Sequence, residues 1–140
     1  MQSIYDFVKN HNVRMTCRHA ATNPHMQDSR DMDHHRCTLT CGTHAGKKRR
    51  MTVTFSMGRS HHGKAPTVED VLSTLAMGAS YYENASDFAS WASEFGVDMQ
   101  YPAEVRRHRK IFDATKKETA SLKKLVGSAY EELLYHTESL

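Results

Sequence analysis

Three segments in the first half of the chain alternate apolar and polar residues with a period of two, and the second half switches to helical period. Val13, Met15 and Cys17 alternate with Arg14, Thr16 and Arg18. Cys37, Leu39 and Cys41 alternate with Arg36, Thr38 and Thr40, and Met51, Val53, Phe55 and Met57 with Arg50, Thr52, Thr54 and Ser56. Successive side chains of a strand point to opposite faces, so each segment predicts a strand with one apolar and one polar side. An apolar sheet face must be covered, and the helical half of the chain supplies the cover. The expected fold is therefore α+β: a three-stranded antiparallel sheet from the N-terminal half, packed by C-terminal helices that include one long helix. Residues 1–140 form one domain, with 1–65 mainly β behind an N-terminal helix and 66–140 helical.

Start and stop signals place the helices. Ser3 caps a short helix over 3–11 that carries Ile4, Phe7 and Val8 on one side. Pro66-Thr67-Val68-Glu69-Asp70 opens the next, with Thr67 as N-cap and Asp70 at the capping-box position, and Val68, Val71, Leu72, Leu75 and Ala79 line one face. Ser86 starts a third helix bearing Phe88, Trp91, Ala92 and Phe95, which Gly96 stops. Pro102 opens a helix that runs to Val126, about 37 Å long. Gly127 then breaks the chain, and Ser128 with Glu131 caps a last short helix. Between the strands, 19–33 reads as a long polar loop and Gly42–Arg49 as a hairpin loop.

Composition bounds the function classes. At 140 residues, 39% hydrophobic and 25% charged, the chain can bury a core of its own. No apolar run approaches the roughly 18 residues that a membrane helix needs, and MQSIYDFVKN does not read as a signal peptide. A net charge of +3 excludes an acidic mimic of DNA and permits a phosphate-bearing or acidic partner. Three cysteines, an odd count, point to reduced thiols in a cytosol.

All three cysteines and seven of the ten histidines fall between residues 17 and 62. Cys37 and Cys41 on one extended strand are ~13 Å apart, too far for two sulfurs to share a zinc ion. They fall in register with Leu39, as small buried hydrophobes do. In an antiparallel meander, His19, Asp31, Asp33, His34, His35, His61 and His62 gather at one sheet edge. His34, His35, His61 and His62 are then a candidate binding rim. Asp31, Asp33, His34 and His61 are the set a divalent metal would use if one bound, although no motif of fixed ligand spacing is present. No cofactor motif occurs either: there is no GxSxG elbow, phosphate loop or GxGxxG.

The polar side of the sheet is the sharper signal. Arg14, Thr16, Arg18, Arg36, Thr38, Thr40, Arg50, Thr52 and Thr54 project to one side with no carboxylate among them, and Lys47, Lys48 and Arg49 extend the charge into the loop. Guanidinium forks and hydroxyls suit phosphate oxygens or acidic side chains. No aromatic residue lies on this face, so base stacking has no platform. Arg106-Arg107-His108-Arg109-Lys110 wraps around the long helix as solvated charge.

Several segments resemble a family of small phage and prophage accessory proteins. They are Met15-Thr16-Cys17, Asn23-Pro24, Asp31-Met32-Asp33-His34, Met51 to Gly58, Pro66 to Leu72 and Leu133-Leu134-Tyr135-His136-Thr137-Glu138. The resemblance covers most of the chain and carries no catalytic motif. It implies a non-enzymatic protein that binds a host defence complex, of anti-CRISPR type, in the bacterial cytosol. The partner would be a protein or ribonucleoprotein, with Arg14, Arg18, Arg36, Arg50, Lys47 and Lys48 as the contact set. A nucleic-acid-binding protein of phage replication or recombination is the alternative, and a metal-dependent hydrolase using the rim is a third.

Overall fold

A computed structural model describes residues 3–23, 32–44, 47–58, 64–85 and 87–138. The chain runs α1 (Ile4–Asn10), β1 (Val13–Ala20), β2 (Met32–His44), β3 (Lys47–Gly58), α2 (Val68–Ala85), α3 (Phe88–Glu94), α4 (Pro102–Val126) and α5 (Tyr130–Glu138), with a 3-10 turn over Gly127–Ala129. The strands form one antiparallel meander in the order β1-β2-β3. The α+β architecture expected from the alternation is present, and α4 has the limits that Pro102 and Gly127 set.

Local chemistry explains the boundaries. Ser3 and Asp6 form a capping box, Ser3 Oγ accepting from the Asp6 amide and Asp6 from the Ser3 amide. Thr67 and Asp70 repeat the arrangement at α2. The cap of α3 is Asp87 rather than Ser86: its carboxylate accepts from the Ser90 amide at 2.8 Å, while Ser86 lies outside the described residues. Both residue types cap, and the register of the first turn decides between them. Ser128 lies inside the 3-10 turn, which leads straight into α5, so it does not open that helix.

The strands run longer than their apolar alternation. His19, Ala20, Met32 and Asp33 belong to β1 and β2, while 24–31 of the expected loop lie outside the described residues. The hairpin also shrinks, because Gly42 to His44 and Lys47 to Arg49 stay in the ladder through an irregularity between Cys41 and Thr43. Gly42 takes φ +45 there, a backbone that favours glycine.

One face of the sheet meets the helices. α4 crosses β3 and β2, α1 and α2 reach β1, and α2 packs along α4 and α5. Phe7, Leu39, Leu72, Leu122, Leu125 and Leu133 are the largest side chains sealed in this core, and Cys37 and Cys41 are buried among them. A satellite cluster joins Trp91 and Ala92 of α3 to Phe112 of α4 and Ala85 of α2. No helix among the described residues is long and apolar enough to cross a membrane.

Candidate binding face

The other face of the sheet carries the arginines and threonines, and the register arranges them in rows. Arg14, Thr40 and Arg50 lie side by side across the three strands. Thr16, Thr38 and Thr52 form the next row, and Arg18, Arg36 and Thr54 the one after. Two basic rows thus flank a hydroxyl row, about 13 Å apart along the strands. Arg14, Thr16, Arg18, Arg50 and Thr52 are exposed, and the central-strand residues are half-buried by their neighbours.

Hydrogen bonds hold part of this surface in place. Arg36 Nη1 donates to Thr54 Oγ1 at 3.0 Å, Thr38 and Thr52 share a hydroxyl contact at 3.3 Å, and Arg14 Nε donates to Asn12 Oδ1 at 3.1 Å. None of Arg14, Arg18, Arg36 and Arg50 is ion-paired among the described residues. Among the described residues, four guanidinium groups therefore stand without a paired carboxylate on one small surface, a chemistry that suits anionic oxygens. Lys47 and Lys48 begin β3 opposite His44 and Thr43, at the hairpin end of the same sheet.

The histidines divide differently from expectation. His34 and His35 are buried, 3% and 5% exposed, so they do not form a solvated rim. They also point to opposite faces, as adjacent strand residues must. His34 lies in the row beyond Arg36, where its Nδ1 meets Ser56 Oγ at 2.7 Å and Asn23 Nδ2 donates to the same hydroxyl at 2.9 Å. This contact pins the segment after β1 over the end of the polar face, a structural role. His35 sits on the helical side, its ring edge-on to His19 at 5.8 Å. Its Nε2 has no hydrogen-bond partner among the described residues. His61, His62 and Asp31 lie outside the described residues. Asp33 and His34 diverge to opposite faces, and among the described residues no three His, Cys, Asp or Glu side chains are grouped to hold a metal ion.

Nucleophile chemistry has no support in the thiols. Cys17 and Cys37 face each other across the β1–β2 ladder with Sγ atoms 3.0 Å apart. Loss of solvent, and then the contact with Cys17, pushes the Cys37 thiol up to about 12. Burial raises Cys41 as well, against the opposing pull of Arg49. Both are held in the thiol form, which is unreactive at neutral pH. Cys17 itself is half-buried.

In α4, Arg106, Arg107, Arg109 and Lys110 are exposed as expected of solvated helix charge. Arg109 is additionally drawn over the Phe88 ring at 5.1 Å and pairs with Asp113 at 3.5 Å. Comparison with known families, curated proteins and solved structures finds no match to this chain.

Proposed function

We propose that this protein is a non-enzymatic binding protein whose open Arg/Thr sheet face docks on an acidic surface of a host defence complex, the anti-CRISPR type of role that its resemblance to small phage proteins implies. It would act in the host cytosol by covering a nucleic-acid site or a subunit interface, which requires no catalytic residue. The single observation that supports this is the face itself: two rows of unpaired arginines around a hydroxyl row, open to solvent and free of carboxylates among the described residues. An acidic partner gains charge-assisted contacts there, and the opposing sign of its surface steers the encounter.

Direct binding to a nucleic-acid backbone is the second reading, because guanidinium and hydroxyl donors also suit phosphate oxygens. The triple variant Arg14→Glu, Arg36→Glu and Arg50→Glu separates the two, since it reverses the face and leaves the apolar side unchanged. A pull-down from host lysate, with and without nuclease, should recover a partner with the wild type and lose it with the variant, whether or not nuclease is present. Steeply salt-dependent affinity for free DNA or RNA, abolished by the same changes, would favour the nucleic-acid reading instead. A folded triple variant that still captures the partner would remove the face from both readings.

A further inference from the structure

Arg49 behaves unlike the other strand arginines. It stands opposite Cys41, beside the irregularity in the β2–β3 ladder, and its side chain turns to the helical side of the sheet. There the guanidinium lies against the backbone of Gly127. A side-chain Cβ at that glycine would fall 2.9 Å from Arg49 Cζ and closer still to Nη1. Gly127 also holds φ +56 and ψ −128, a conformation that only glycine adopts without strain. The break between α4 and α5 is thus also the seat of a half-buried cation.

Arg49 makes no ion pair among the described residues. On the cavity wall, His11 Nε2 meets Glu132 Oε2 at 2.9 Å, and Glu132 itself is not part of the lining. In front of Arg49 opens a cavity of about 380 Å³, whose remaining polar wall includes Asn10, His11, Asn12 and Ser128. Asn12 Oδ1 already accepts from Arg14, which leaves its amide NH2 as the free donor. Left-handed backbone concentrates here too: Asn12 (φ +51) and Gly42 (φ +45) line the cavity and Gly127 backs it, while Gly96 is the other described residue with positive φ. The Gly42 amide donates to the Asn12 carbonyl at 3.3 Å, tying the α1–β1 turn to the ladder irregularity. Backbone held in sparsely populated regions collects at ligand clamps, and a volume of this size fits a small molecule.

We propose that this cavity binds a small oxyanion, a phosphate monoester or a carboxylate. The Arg49 fork takes the two oxygens and the Asn12 amide and Ser128 hydroxyl close over them. Arg49 reaches this site from the helical side of the sheet, and Asn12, which accepts from Arg14, is the one residue it shares with the edge of the Arg14/Arg36/Arg50 face.

Amide NMR of the ¹⁵N-labelled protein tests it. Sodium phosphate is titrated in one arm and sodium acetate in another, with chloride holding the ionic strength constant. The expected result is saturable shifts centred on Asn12, Gly42 and Gly127 to Ala129, with a dissociation constant on the order of millimolar. A response to phosphate alone assigns a phosphate ligand, and a response to acetate assigns a carboxylate. Arg49→Gln should weaken binding about tenfold or more, the loss of one charge-assisted contact, while Arg50→Gln on the opposite face leaves it unchanged. Absence of saturable shifts in the wild type would overturn the proposal, as would shifts centred on the Arg14/Arg36/Arg50 face or equal effects of the two variants. The wild-type map decides the matter even if Arg49→Gln fails to fold.

Discussion

Glu118 and Glu83 show how one residue type is set apart by its surroundings. Glu83 receives Lys123 Nζ at 2.7 Å and the Tyr130 hydroxyl at 3.1 Å, and the lysine contact holds its carboxyl below the usual range. Glu118 lies half-buried where α4 crosses β3, in a crevice shared with Val53 and Thr54, and burial alone raises its carboxyl. A carboxyl raised in the folded state disfavours folding once it ionises. The penalty is absent below the usual glutamate value of about 4.3 and is complete once the pH has passed the folded-state value. Glu118→Gln mimics the protonated form, so it should raise the melting temperature at pH 7 and change nothing at pH 4 or below. Thermal unfolding of both proteins at the two pH values checks this; an equal shift at both would assign the effect to packing. Neither environment is readable from sequence, because Lys123 lies 40 positions from Glu83, and Thr54 lies 64 from Glu118.

The elements were more legible than the residues that end them. Capping boxes at Ser3 and Thr67, proline at Pro102 and glycine at Gly127 are local chemistry, and α1, α2 and α4 begin or end where those signals stand. Thr67→Ala removes the hydroxyl that accepts from the Asp70 amide and should cost about 1 kcal/mol in urea unfolding. Asp70→Ala should cost a comparable amount and combine with it less than additively, since the two residues form one reciprocal unit. A change below about 0.3 kcal/mol for both would show that packing of Val71, Leu72 and Leu75 alone fixes the start of α2. The strands extend past their sequence signal for a reason of the same kind. Their apolar alternation ends before the ladder does, so His19, Met32 and Lys47 to Arg49 join β1, β2 and β3 through backbone pairing that their side chains do not announce.

At the scale of the whole molecule, a single principal core ties the sheet to α1, α2, α4 and α5, and the satellite around Trp91 is attached through Tyr82 and Phe112 on two of those same helices. Leu39, at the centre of the middle strand, is fully buried. Leu39→Ala should therefore cost about 2–5 kcal/mol. Because the satellite shares its helices with the principal core, Trp91 fluorescence and far-ultraviolet circular dichroism should move to the same lower midpoint. Separate midpoints for the two probes would show that α3 and its aromatic cluster unfold on their own.

The sequence by itself determined the architecture, because period-two alternation, capping residues, Pro102 and Gly127 act through the nearest few residues of chain. It also determined that the arginines and threonines of three strands share one face, since parity along a strand is fixed by backbone geometry. Only the tertiary structure decided that these residues form rows, that helices leave the face open, and that His34 and His35 are buried on opposite sides. Pairing register and burial depend on contacts between distant segments. The same holds for Arg49: a ladder irregularity of one residue, and a glycine 78 positions away, place it in a cavity instead of on the charged surface that its neighbours Lys47 and Lys48 suggest.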